Sequence, residues 1–182
     1  MSDSFKDTTA QAAAGESPEP LTEAMLSAHA REVIDGWLTR FPDGQGRSAI
    51  IAALRVVQHE NNGYLTPPLM DAVAAYLDLP KVQVYEVATF YSMFETHPVG
   101  RHHVSVCTNV SCMLRGGEAI LAHLENKLGI EVGESTPDGR IFLKREEECL
   151  AACCGAPMMM VDHVYYEHLK PETVDRIIEE LD

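Results

Sequence analysis

The chain has 182 residues, 28 acidic and 14 basic, and a formal charge of −14 at pH 7. A surface this acidic repels nucleic-acid phosphates and anionic lipid headgroups, which argues against either as the principal partner. Hydrophobic residues make up 46% of the chain, enough for a core, yet no apolar run approaches the ~20 residues of a membrane helix, so no direct membrane insertion is expected.

Residues 1–20, MSDSFKDTTAQAAAGESPEP, are small and polar and have almost nothing to bury, so they are expected to form a disordered tail. The start lacks the apolar core of a secretory signal. Asp3, Asp7, Glu16 and Glu19 against the single Lys6 are also unlike a mitochondrial presequence. The expectation is a soluble, intracellular protein, with a bacterial cytoplasm inferred from the missing presequence.

Residues 21–98 read as a helical bundle. RSAIIAALRVVQHE places Ile50, Ile51, Leu54 and Val57 on one face, with Ser48 as N-cap, before Asn61, Asn62 and Gly63 break the helix. Thr66 caps the next helix with Pro67 at its first position, and Leu69, Val73, Ala74 and Leu77 form the stripe. After Pro80, KVQVYEVATFYSMF sets Val82, Tyr85, Val87, Phe90 and Phe94 on a rougher helical stripe. The rhythm invites a helix-turn-helix reading. A recognition helix needs several side chains facing bases and phosphates, and here Lys81 and Gln83 stand almost alone against Glu86. Tyr85, Phe90, Tyr91 and Phe94 are therefore assigned mainly to the bundle's own core rather than to a partner surface.

Residues 99–182 change style. HHVSVC reads as a strand, and GGEAILAHLENKLGI as a helix with Ile120, Leu121, Leu124 and Leu128 inward and Gly129 at its stop. TPDGR is a turn and IFLKREEE a strand. PMMMV and VYY form a hairpin about Asp162–His163, and the Met158–Met160 run is assigned to strand core. Pro171 opens a last helix with Val174, Ile177, Ile178 and Leu181 inward. Strand, helix, three strands and helix predict a sheet with helices packed on it in the thioredoxin style, for an overall α+β or α/β class.

The five cysteines fall in two clusters, CTNVSC (Cys107 to Cys112) and CLAACC (Cys149 to Cys154). In a reducing compartment, clustered thiols signal metal binding or catalysis before disulfides. A dithiol redox site wants C-x-x-C, which is absent, and the adjacent Cys153–Cys154 pair is poorly placed for a disulfide. Structural zinc at Cys107, Cys112, Cys149 and Cys153 has tolerable spacing and would make the chain a zinc-stapled interaction module. A [2Fe–2S] cluster needs two thiolates per iron, and two local pairs supply them: Cys107 with Cys112, and Cys149 with Cys153. Spacing favours iron–sulfur over zinc without deciding it. Backbone N–H groups around Asn109–Cys112 and Gly116–Gly117 are the expected donors to sulfur. Glu146–Glu148 would lower the potential of a nearby centre, unless they form a solvated strand end.

VYEVATFYSMFETHPVG, VCTNVSCMLRGG, TPDGR, ECLAACCGAPMMMVD and YYEHLKPE occur in order from Val84 onward, within a resemblance that runs from about Ala49 to the last helix. Together they closely resemble the thioredoxin-like [2Fe–2S] subunit of respiratory complex I, the 24 kDa-type partner of the flavin subunit. The resemblance covers nearly three quarters of the chain. It implies a helical bundle over 21–98 followed by a thioredoxin-like [2Fe–2S] domain over 99–182. It also implies that Cys107, Cys112, Cys149 and Cys153 hold the cluster, with Cys154 at a variable position. Ala151 stands where this family often has Gly. A left-handed backbone there would cost an alanine ~1 kcal/mol or more, so a right-handed or shifted loop is expected.

The implied role is one-electron acceptance from FMN of a partner flavoprotein that oxidises NADH, as a side store within NADH:quinone oxidoreductase, peripheral to the cytoplasmic face of the inner membrane. FMN and NADH would belong to the partner, since neither a G-x-G-x-x-G fingerprint nor a phosphate loop occurs here. Similar subunits serve NAD-linked formate dehydrogenases and hydrogenases. The MLRGG after Cys112 is more similar to the complex I branch.

Overall fold

The computed structural model describes residues 25–144 and 149–182; the expected tail over 1–20 and the Glu146–Glu148 run lie outside them. The described residues form seven α-helices and a four-stranded mixed sheet, an α+β architecture.

Helix α1 (Ala28–Leu38) begins where Ser27 Oγ accepts the Ala30 N–H at 2.8 Å, and it buries Ala30 and Ile34. Helix α2 (Ile50–Glu60) buries Ile50, Ala53, Leu54 and Val57, the i, i+3, i+4, i+7 face of a helix. Ile51 was expected on that face. It lies one residue round from Ile50, roughly 100° off the stripe, and is exposed. Ser48 is not the cap either. The chain enters α2 through a 3₁₀ turn, Gly46–Ala49, in which the Ser48 N–H donates to Gln45 O, so the tightened turn does the work expected of the side chain.

Helix α3 (Pro67–Tyr76) starts as expected, with Thr66 Oγ1 accepting the Leu69 N–H and Pro67 at the first position. Helix α4 (Lys81–Phe90) turns only Val84 and Ala88 fully inward. Val82 and Phe90 lie two residues beyond these, roughly 200° round the helix, and are exposed, Phe90 by 78%. The expected core role therefore holds fully for Phe94, which is buried, and partly for the half-buried Tyr85 and Tyr91, but not for Phe90. The four helices share one apolar cluster built around Ile34, Leu54, Leu65, Val73 and Val84.

Strands β1 (His102–Val106), β2 (Ile141–Lys144), β3 (Met159–Val161) and β4 (Val164–Tyr166) form the sheet in the order β2-β1-β3-β4. β1 and β2 are parallel, His102 facing Ile141, while β3 runs antiparallel to both of its neighbours. The β1–β2 crossover carries α6 (Gly117–Leu128), which ends at left-handed Gly129 (φ 66°). Asp162 and His163, both at positive φ, make the tight β3–β4 turn. Helix α7 (Pro171–Glu179) closes the fold, held to α6 by His123–Asp175 at 2.7 Å and Lys127–Glu179 at 2.8 Å. A second apolar cluster, around Val104, Leu124, Leu143, Met159 and Ile178, fills the space between sheet and helices. Met158 and Met159 are buried as expected and Met160 is half-buried.

The helices meet the sheet at a polar seam. Lys144 Nζ reaches Glu95 Oε1 at 2.9 Å, and the Gln58 amide bridges Met93 O and the Glu95 N–H. The His103 ring stands edge-on to Phe142, and a Cβ on Gly63 would lie 2.6 Å from its Nε2. Burial and then the Lys144 charge hold His103 below its ordinary pKa of 6.5, together with His163 and His102, while Asp162 opposes them. The folded state thus disfavours protonated His103. Its contribution is complete above the unfolded pKa of 6.5 and is lost as pH falls below that value toward the folded one. Unfolding free energy, measured by denaturant titration from pH 7.5 to 5, is expected to fall less steeply in His103→Asn than in the parent.

Candidate metal centre

β1 ends at Val106, and the next N–H, that of Cys107, donates to Met158 O at 3.1 Å, so the sheet holds this cysteine in place. Asn109 Oδ1 then accepts the Val110 N–H at 2.8 Å and starts the short helix α5 (Val110–Leu114). Cys112 faces inward. Val110, Met113 and Leu114 face out, with 58%, 42% and 77% of their surfaces exposed. Gly116 (φ 91°) turns the chain into α6. A Cβ on Gly117 would sit 2.7 Å from Cys107 O and 3.0 Å from Cys112 O, so this close meeting of strand end and helices requires glycine.

Cys107 and Cys112 are each 2% exposed, and their thiols are hydrogen-bonded to each other. Burial first, then that bond and the charges of Cys107 and Cys149, push the Cys112 thiol up to about 11, against a Met158 N–H that favours its thiolate. Any metal binding here must therefore displace a proton.

The second pair is exposed. Cys149 Sγ and Cys153 Sγ lie 3.8 Å apart, Cys153 opening a 3₁₀ turn, Cys153–Gly155. The Ala151 N–H donates to Cys149 Sγ at 3.3 Å and favours its thiolate most strongly; the Cys153 thiol, burial and nearby Cys107 outweigh it, leaving the Cys149 pKa raised. The two pairs thus feel each other's charge. Cys107, Cys112, Ala156 and Met158, with Leu150 and Ala152 packed beside them, form a small apolar cluster of their own. Cys154 is exposed and outside it. Among the described residues no three His, Cys, Asp or Glu side chains converge where one metal ion could sit; the thiols gather instead as two pairs.

Two expectations need correction. Ala151 is left-handed, φ 60°, not right-handed. The hydrogen bond its N–H makes to sulfur accompanies that conformation and offsets part of its cost. The N–H donors on sulfur come from Ala151 and Met158, whereas the Gly116 N–H is engaged by Met113 O. No spacing motif announces either donor: Met158 meets Cys112 only through the pairing of β3 with β1, and the Ala151 donor, though local, accompanies a backbone that alanine disfavours.

Four thiols in two neighbouring pairs, two of them already receiving N–H donors, fit a [2Fe–2S] group in number, kind and environment. The comparisons agree. The family model of the thioredoxin-like [2Fe-2S] ferredoxin matches residues 34–182. The second of the NADH-quinone oxidoreductase E subunits of Rhizobium meliloti is 48% identical over 149 residues, covering 82% of this chain and 86% of the relative. The NADH-quinone oxidoreductase E subunit of Rickettsia bellii is 42% identical over 144 residues, covering 79% and 86%. A crystal structure of an NAD+-reducing [NiFe]-hydrogenase in the air-oxidized state shares the fold, with a TM-score of 0.60 and 24% identity over 70% of this chain. The likeness spans only 22% of that hydrogenase chain. Motif order, sheet topology and paired thiols converge with these matches: the chain belongs to the thioredoxin-like [2Fe-2S] ferredoxin family, alongside the E subunits of NADH-quinone oxidoreductases.

Proposed function

We infer that the chain is the one-electron carrier subunit of an NADH:quinone oxidoreductase, with Cys107 and Cys112 on one iron and Cys149 and Cys153 on the other. The observation that carries this reading is the pairing of four thiols at one end of the sheet. A bound [2Fe–2S] group supplies reversible acceptance of one electron. The chain's own residues do the rest. The buried pair anchors the site on β1 and α5, and the Ala151 and Met158 N–H groups favour added negative charge on sulfur. Ala156, Met158 and Leu150 limit water on the inner side. No acid, base or nucleophile is required of an electron carrier.

The division into a helical bundle over 21–98 and a thioredoxin-like domain over 99–182 is supported by the two separate apolar clusters. The electron donor assigned to the partner is FMN on an NADH-oxidising flavoprotein, with the complex peripheral to the cytoplasmic face of a bacterial inner membrane. No helix among the described residues is long and apolar enough to cross a membrane. The docking face assigned to the flavoprotein is the outer side of α5, where Val110, Met113 and Leu114 are exposed within a turn of Cys112.

The test is iron, acid-labile sulfide and zinc analysis of anaerobically purified protein, electron paramagnetic resonance after dithionite reduction, and affinity for the flavoprotein partner. Two irons and two sulfides per chain, with a rhombic signal, are expected. Leu114→Glu is expected to keep both while weakening flavoprotein binding at least about tenfold, as loss of a buried apolar anchor does. One zinc without sulfide, persisting after anaerobic reconstitution, would overturn the electron-transfer reading in favour of a zinc-stapled module.

A further inference from the structure

Ala151 is a non-glycine residue held at φ 60° between two thiol-bearing positions. Such backbone persists only where its surroundings over-determine it, and it gathers at functional sites. What this conformation achieves is visible in the hydrogen bonding. The Leu150–Ala151 peptide turns its N–H back toward Cys149 Sγ, 3.3 Å away, and positive φ at Ala151 carries the chain on from that peptide to the seated Ala152. The methyl group is exposed and serves no core, so packing does not account for the conformation. The neighbours hold it from both sides: Leu150 and Ala152 pack against the apolar cluster of Cys107, Cys112, Ala156 and Met158, and the Gly155 N–H donates to Ala152 O at 3.0 Å. With both flanks seated, residue 151 arches outward and its amide points in.

We propose that the Ala151 N–H, held against Cys149 sulfur in a loop that leaves this peptide through a left-handed residue 151, raises the reduction potential of the centre that Cys149 helps to hold. The proposal rests on Cys149 being a ligand. Reduction adds one negative charge, shared over iron and sulfur, and a donor already aimed at a ligating sulfur stabilises the reduced form more than the oxidised one. Of the exposed thiols, Cys149 is the one that receives a backbone N–H at 3.3 Å. An alanine narrows the loop's alternatives relative to glycine, since its unfolded and shifted states are fewer.

The experiment is a redox titration of the reconstituted full chain, followed by electron paramagnetic resonance, on three proteins: the parent, Ala151→Gly, and an ester variant with lactic acid in place of Ala151. The ester keeps the methyl group and chain shape but has no N–H. The expected result is a midpoint potential lower than the parent's in the ester variant and retained in Ala151→Gly, which keeps the donor and tolerates positive φ. A potential unchanged in the ester variant, with iron and sulfide content intact, would overturn the proposal. So would a fall of equal size in Ala151→Gly, which would trace the effect to loop order rather than to the N–H. Cys149→Ser, run alongside, separates the two failures: an unaltered signal there would remove Cys149 as a ligand, whereas an altered signal with an unmoved ester potential would sink this inference alone. If the ester variant does not assemble a centre, Ala151→Val takes its place. A β-branched side chain disfavours positive φ, so the loop relaxes and the Leu150–Ala151 peptide is displaced from Cys149 sulfur; the same lowered potential is expected.

Discussion

Cys112→Ala is expected to abolish the [2Fe–2S] signal and cut bound iron by at least about tenfold, given that even partners behind the ligands are worth 10–100-fold. Cys154→Ser is expected to keep both iron and signal. The contrast is the sharpest available because the five thiols differ so clearly in place. Cys112 is 2% exposed, bonded to Cys107 and touched by the charge of Cys149. Cys154 is exposed, outside the apolar cluster of Cys107 and Cys112, and not part of the Cys149–Cys153 pair. Cys107→Ala should behave like Cys112→Ala. Cys149→Ala and Cys153→Ala should also lose the signal, with less effect on folding, since both side chains are exposed. Retention of a normal signal in Cys153→Ala together with its loss in Cys154→Ala would move the fourth ligand by one residue and shift the register of the whole loop.

Why the cysteine pairs were legible while the hydrogen bonding around them was not follows from what each depends on. Helix starts at Thr66–Pro67 and Pro171, and the stop at Gly129, are local: capping and backbone freedom involve residues within one turn, so the chain spells them out. The pairing of cysteines is also local in spacing. Helix α5 is different, because five residues are too few to show a period, so nothing in the sequence tells that its inward place belongs to Cys112 while three apolar side chains face out. Phe90 and Ile51 misled for a related reason. Both are apolar, but burial is decided by the angle at which a helix meets its neighbours, and the inward side of each helix was taken by smaller residues, Ala88 and Ala53. The left-handed Ala151 is the clearest case of tertiary override. Local preference disfavours it by ~1 kcal/mol or more, and seated neighbours on both sides impose it.

Gly117→Ala tests the same contest between local preference and tertiary contact, with the sign at stake. Gly117 opens α6 with no left-handed requirement of its own, so helix propensity alone favours alanine by ~1 kcal/mol. Against this stands the added methyl, 2.7 Å from Cys107 O and 3.0 Å from the carbonyl carbon and oxygen of Cys112. These are backbone atoms and cannot rotate aside. Relief requires that α6 move away from the end of β1, which carries one buried cysteine, and from α5, which carries the other. Overpacking of this kind costs ~1–3 kcal/mol even where side chains absorb it. The clash is therefore expected to win, with a net loss of about 2 kcal/mol in denaturant unfolding and a reduced yield of intact [2Fe–2S] centre. Gly36→Ala supplies the opposite limit. That residue sits in α1 with nothing within 4 Å of its added Cβ, so the substitution is expected to stabilise by up to ~1 kcal/mol. Gly129→Ala lies between, with open space but φ 66°, and should lose ~1 kcal/mol through backbone strain while leaving the centre intact. If Gly117→Ala instead matched Gly36→Ala in stability and kept full iron content, the strand end and the two helices would have enough slack to part without disturbing the thiols. The rigid geometry assigned to the buried pair would then be wrong.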